Sequence, residues 1–207
     1  MEFTRKHAVF AALFGVLVLL ADQVKVFNVL GSAGQYFTLF QFFGPIAGGI
    51  LGPVIGVASV LLAKTASFIW LSKEPTVINI LRLLPMLFAA YYFASWKNDK
   101  TKIAWLVPVA AIVLFVLHPV GGQAWYYALY WSIPIIAMLL PETLFMRSLG
   151  SSFTAHSVGG IIWLYFVPTT PAFWTALIPI VAFERLLFAG GIAASFVAMN
   201  TLLAKVE

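Results

Sequence analysis

Long apolar runs separated by short polar breaks fill the chain, and they predict eight helices, at about 8–26, 37–51, 54–71, 77–96, 103–119, 123–141, 152–167 and 172–204. Each run lies near or below the roughly 20 residues that a bilayer span requires, apart from the longer last one. The short runs 37–51 and 152–167 leave six or seven spans as alternatives to eight, if either is merged or re-entrant. No linker, low-complexity tract or polar domain interrupts the pattern. Residues 1–207 therefore read as a single integral membrane domain, an all-α polytopic transmembrane bundle of about 6–8 helices.

One run carries a finer pattern. Gly44, Gly48, Gly52 and Gly56 recur every fourth residue in GPIAGGILGPVIG, with Pro45 and Pro53 beside them. Positions four apart share a helix face, and glycine there lets a neighbouring backbone approach closely. Each proline removes a backbone donor, so the ladder is expected to span two helices joined at Gly52-Pro53. These four glycines are assigned to helix packing.

Composition agrees with the pattern, since 62% of residues are apolar and 9% charged, against a usual charged share of about 25%. With eight spans and the N-terminus inside, Arg5, Lys6, Lys97, Lys100, Lys102, Arg147 and Lys205 fall on the cytoplasmic side, and Lys25 and Lys73 on the outer side. That bias predicts a multi-pass protein of the cell membrane with a cytoplasmic N-terminus. It also accounts for the net charge of +5 without nucleic-acid binding, which would need an exposed basic face. Glu2, Arg5 and Lys6 precede the first run as a signal sequence would, but further spans follow and no small-residue cleavage site ends it, so it is read as the first transmembrane helix.

Lys64, Arg82, Glu184 and Arg185 fall inside predicted spans, where charges are costly unless they face protein or water. Glu184 lies about 12 residues, or roughly 18 Å, into the last run. Adjacent on a helix, Glu184 and Arg185 point about 100° apart, so they are not expected to neutralise each other simply, and at least one should meet another helix or a ligand. An interhelical salt bridge is the structural alternative. Arg82, about four residues inside its span, is expected to snorkel to the headgroups. Trp125, Tyr126, Tyr127, Tyr130 and Trp131 crowd the start of the sixth run. An aromatic belt at the membrane interface explains most such rings. At 3.6 residues per turn, however, Tyr126 pairs with Tyr130 and Tyr127 with Trp131, so at least one pair should point inward and offer a stacking surface.

Enzymatic chemistry finds no foothold. The chain has no cysteine; His7, His118 and His156 show no ligand spacing, and Ser157 and Ser195 lack a nucleophile-elbow pattern. His156 is read as a packing or capping group. No phosphate-binding Gly-x-x-x-x-Gly-Lys-[Ser/Thr] loop is present, so the chain is expected to hydrolyse no ATP and to need no metal or cofactor.

Ala8, Ala11 and Ala12 at the start of the first helix, the loop Leu30-Gly31-Ser32-Ala33-Gly34, and the glycine-rich helices joined at Leu51-Gly52-Pro53-Val54-Ile55-Gly56 resemble the substrate-binding S components of energy-coupling-factor vitamin transporters. The resemblance covers roughly the first hundred residues, to Trp96-Lys97-Asn98-Asp99-Lys100. That family usually has six helices, fewer than the eight read here. It implies capture of a small, water-soluble, vitamin-like compound in an outward-facing pocket, with uptake energised by a separate transmembrane coupling protein and ATPase subunits. Alanines four apart on the family's first helix dock on the coupling protein, and Ala8 and Ala12 fit that spacing. The pocket expected here takes Tyr127, Tyr130 and Trp131 as stacking surface, Glu184 and Arg185 as polar anchors, and Gln41 and Asn79 as hydrogen-bonding groups. Two other classes remain open: a self-contained secondary transporter or channel, suggested by interruptions at Gly44–Gly56 and Gly190-Gly191, and a membrane assembly subunit that binds no small molecule.

Overall fold

A computed structural model describes residues 4–31, 34–95 and 104–206. The loop residues Ser32 and Ala33 and the basic residues Lys97, Lys100 and Lys102 lie outside the described residues. The chain is largely helical. Helix α1 (Arg5–Ala21) leads into an antiparallel hairpin of β1 (Lys25–Asn28) and β2 (Tyr36–Thr38), followed by a 3-10 helix, Leu39–Phe42. Then come α2 (Ile46–Leu51), α3 (Pro53–Trp70), α4 (Val77–Leu81), α5 (Leu84–Ser95), α6 (Leu106–Leu117) and α7 (Pro119–Gln123). A second 3-10 helix (Trp125–Ser132), α8 (Ile133–Leu139), α9 (Leu144–Phe166) and α10 (Pro171–Leu203) complete it. Among the described residues, Pro53–Trp70, Val77–Ser95 and Pro171–Leu203 are long and apolar enough to cross a membrane.

Local chemistry sets the boundaries. Threonine hydroxyls accept the first free amides of three helices: Thr76 from Asn79, Thr143 from Met146 and Thr170 from Phe173. Gly52 has φ 81° and ends α2, and Pro53 opens α3. The glycine ladder is thus folded at its third member. A Cβ at Gly48 would collide with the Ala90 carbonyl of α5, and one at Gly56 with the Ala47 carbonyl of α2, while Gly44 makes room for Phe40 and Met86. Close helix contact is the consequence.

Two packed clusters result. Phe10, Phe14, Phe40, Ala90 and Phe93 centre the first; Phe115, Tyr127, Trp131, Phe153 and Trp174 centre the second. Helices α5 and α9 run antiparallel across the junction, with Ser151 Oγ donating to the Ala89 carbonyl at 2.8 Å and Arg147 Nε to the Phe93 carbonyl, while Tyr92 Oη of α5 donates to the Pro134 carbonyl of α8 at 2.6 Å. The distribution of polarity is inverted. Ser148, Ser151, Ser152, Thr154 and Ser157 are buried on α9, whereas Val54, Leu62, Ile69, Trp70 and Leu139 are each more than two-thirds exposed.

Two expectations need correction. Arg147 is not in a loop: α9 starts eight residues before the predicted run, and Arg147 is buried, donating from Nε to the Phe93 carbonyl with its guanidinium over the Phe93 and Phe196 rings. Buried serines hid this turn from a hydrophobicity count. The Gly190-Gly191 pair breaks nothing, since α10 runs unbroken through it and through Pro179, and Gly191 faces the ring of Phe42. Arg82, expected to snorkel, is half-buried and lines a cavity between the helices.

Candidate functional site

Where the two clusters meet, beneath the hairpin, the bundle leaves a cavity of about 200 Å³. The C-terminal ends of α1, α3, α4 and α9 and the N-terminal ends of α5 and α10 surround it, so helix ends and loops form its mouth while α9 and α10 carry it inward. From Phe173 to Arg185, both on its wall, α10 advances about 18 Å.

The deep end is polar and buried. Arg185 is 2% exposed; its guanidinium lies over Phe37 and Phe188, at 4.9 and 4.6 Å from the ring centroids. One nitrogen, Nη2, reaches Glu184 Oε2 at 3.3 Å, and Nε has no hydrogen-bond partner among the described residues. The expectation that neighbours about 100° apart would not pair is therefore corrected. Both side chains are long enough to curl toward each other inside the cavity wall, although the single long contact leaves most of the guanidinium's donors uncommitted.

Beside this pair, His156 of α9 receives a hydrogen bond at Nδ1 from Trp131 Nε1, at 2.9 Å, and meets Tyr127 Oη with Nε2 at 3.0 Å. An indole nitrogen only donates, so Nδ1 carries no proton and the neutral ring must carry it on Nε2. The Nε2–H group then donates to Tyr127 Oη. Tyr127 keeps its own hydroxyl proton, for which no protein acceptor stands among the described residues, and Tyr127 lines the cavity. The arrangement presents one oriented hydrogen-bond donor to whatever fills the space.

At the mouth, Asp22, the residue that ends α1, is 5% exposed. Its carboxylate accepts from Lys64 Nζ at 2.5 Å, Ser67 Oγ at 2.6 Å and Thr38 Oγ1 at 2.9 Å, tying α1, α3 and the hairpin together. The Lys64 ammonium and the three hydrogen bonds compensate the buried carboxylate. Arg82 and Lys73 line the same space, and no carboxylate pairs with either among the described residues.

Of the residues expected in a pocket, Gln41, Asn79, Tyr127, Glu184 and Arg185 are brought together around this cavity. Asn79 is partly committed, donating to the Glu74 carbonyl at 3.0 Å. Trp131 and Tyr130 do not line it. Trp131 is fully buried behind His156, passing over Gly160, and Tyr130 donates to the Ile178 carbonyl at 2.9 Å and stacks on Phe153. Ala8 and Ala12 are exposed on the outward face of α1. Asp22 and His156 were not singled out as site residues: Asp22 follows an apolar run as any helix-ending polar residue would, and His156 gains its role from rings 25 and 29 residues away.

Comparison with known proteins adds one relative. The chain is 24% identical over 114 residues to an uncharacterized protein of Methanocaldococcus jannaschii, a match covering 55% of this chain and 38% of that one. The chain therefore spans well under half the length of the relative it matches. No family model matches, and no solved structure does.

Proposed function

We propose that the chain is a multi-pass membrane protein, N-terminus in the cytoplasm, that captures a small planar solute in the cavity beneath the hairpin as the substrate-binding subunit of an uptake system. Separate coupling and ATPase subunits supply the energy. The observation that carries this reading is the oriented donor at Tyr127: a buried Trp131–His156–Tyr127 series ending in a hydroxyl with no acceptor among the described residues is organised for a ligand. A scaffold subunit would have no need to hold a donor open inside a cavity.

The inverted polarity supports the membrane assignment, because exposed apolar side chains of this extent require lipid or a partner as their surroundings. The basic residues Lys25 and Lys73 lie at the hairpin end, beside the cavity mouth, which becomes the outer side in this reading. Exposed Ala8 and Ala12 leave the start of α1 smooth enough for another helix to approach.

Mass spectrometry of small molecules released from the mildly purified protein tests the proposal. The wild-type chain should release one stoichiometric compound that a Glu184→Gln, Trp131→Ala double variant of equal folded yield does not. An empty, well-folded wild type would overturn it.

A further inference from the structure

The ionisable groups of the cavity do not balance. Its wall holds Asp22 and Glu184 against Lys64, Lys73, Arg82 and Arg185. Each acid already has its base: Asp22 is paired with Lys64 at 2.5 Å and Glu184 with Arg185 at 3.3 Å. Asp22 is further saturated by Ser67 and Thr38. The surplus on this wall is two cations, Arg82 and Lys73, at the mouth. A second opening above them shares Asp22, Tyr36, Thr38, Lys73, Asn79 and Arg82, so both cations can be reached from outside. That opening adds one cation and one acid, Lys25 and Glu74, so among the described residues the surplus stays at two cations.

Resting on the capture reading above, we infer that the solute is a planar organic anion whose carboxylate or phosphate is held by Arg82 and Lys73 at the mouth while its ring system reaches inward and accepts a hydrogen bond from Tyr127. A cationic solute would have to displace Lys64 or Arg185 from its carboxylate, leaving a buried charge uncompensated. A neutral one would leave Arg82 half-buried with no counter-charge. An anion meets the planar guanidinium with paired, charge-assisted hydrogen bonds and removes the imbalance. The wall between mouth and floor suits a flat body, since Phe37, Phe68, Trp163, Phe173 and Trp174 line it. Arg185, buried with Nε unpartnered, adds positive potential at the far end and disfavours a second ammonium there.

Three probes sharing one ring test the inference: indole-3-acetate, indole-3-acetamide and tryptamine, with 1-naphthyl phosphate against 1-naphthol as a second set. Each is titrated by thermal shift into the full chain in a neutral detergent free of anionic lipid. The acid and the phosphate should bind at least about ten-fold more tightly than their neutral and cationic partners, as befits a charge-assisted contact. Arg82→Gln should remove that preference, and Arg82→Lys should restore part of it. Lys73 is exposed, so Lys73→Gln provides a second variant whose folding is safe. Equal binding of acid, amide and amine would overturn the anion inference and leave capture standing. No binding of any probe, together with an empty wild type, would overturn both. If the acids bind only weakly and phosphatidylglycerol alone stabilises the protein in an Arg82-dependent way, the anion is a lipid headgroup and the soluble-solute inference fails.

Discussion

Trp131 Nε1 donates to His156 Nδ1 at 2.9 Å, and that bond fixes which way every proton behind the cavity wall points. The indole can only donate, so the imidazole proton sits on Nε2 and Tyr127 is left free to donate forward. A residue outside the cavity therefore sets the hydrogen-bonding character of one inside it.

Trp131→Phe should keep most of the packing against Phe115 and remove the donor. Leaving His156 Nδ1 buried without a partner costs about 1–3 kcal/mol. Because the imidazole can then change tautomer and turn Tyr127, Trp131→Phe should weaken ligand binding as Tyr127→Phe does, although Trp131 does not line the cavity. Thermal unfolding and ligand titration of the two variants side by side measure this.

The ion pair at the mouth predicts an asymmetric double-mutant cycle. Asp22→Asn strands the Lys64 ammonium, whose side chain is 15% exposed, and should destabilise by about 3–5 kcal/mol. Lys64→Met in the same chain should recover much of that loss. Unfolding of the wild type, both single variants and the double variant in the same detergent measures the cycle; equal losses in Asp22→Asn and in the double variant would contradict it.

Close helix contact predicts which glycines tolerate a methyl group. Gly48→Ala and Gly56→Ala each drive a Cβ into a backbone carbonyl of another helix, which cannot yield as a side chain can, and each should cost about 1–3 kcal/mol. Gly190→Ala meets nothing within 4 Å and should be neutral or slightly stabilising. Unfolding midpoints of the three variants, compared at equal detergent concentration, provide the measurement.

The exposed face of α1 separates capture from coupling. Ala8→Leu with Ala12→Leu adds bulk on an exposed face of α1, so solute binding and unfolding temperature should stay at wild-type values. Uptake into cells should fall. A parallel loss of binding would place these residues in the fold rather than at a docking face.

Much of the helical framework was legible because apolar runs and their proline and glycine punctuation are local signals: the joint at Gly52-Pro53 follows from those two residues alone. The start of α9 was not, since Arg147 and the serines after it look polar in sequence and are buried only because α5 supplies carbonyls to them. Aromatic spacing required one of the pairs Tyr126–Tyr130 and Tyr127–Trp131 to point inward without saying which; Tyr127 and Trp131 are the buried pair, but the segment is a 3-10 helix and only Tyr127 lines the cavity. Which ring meets the cavity depends on His156, from a distant helix. Asp22 likewise became a site residue through Lys64 and Ser67, over 40 residues away in the chain.

The most direct test uses the absence of cysteine from the chain. A single Leu177→Cys lies on the cavity wall, and a single Phe183→Cys lies on the outward face of the same helix. Maleimide labelling of each is timed in protein stripped of small molecules and again after the released fraction is added back. Capture in the cavity predicts slower labelling at 177 on add-back and no change at 183; equal rates at 177 with and without the released fraction would contradict it.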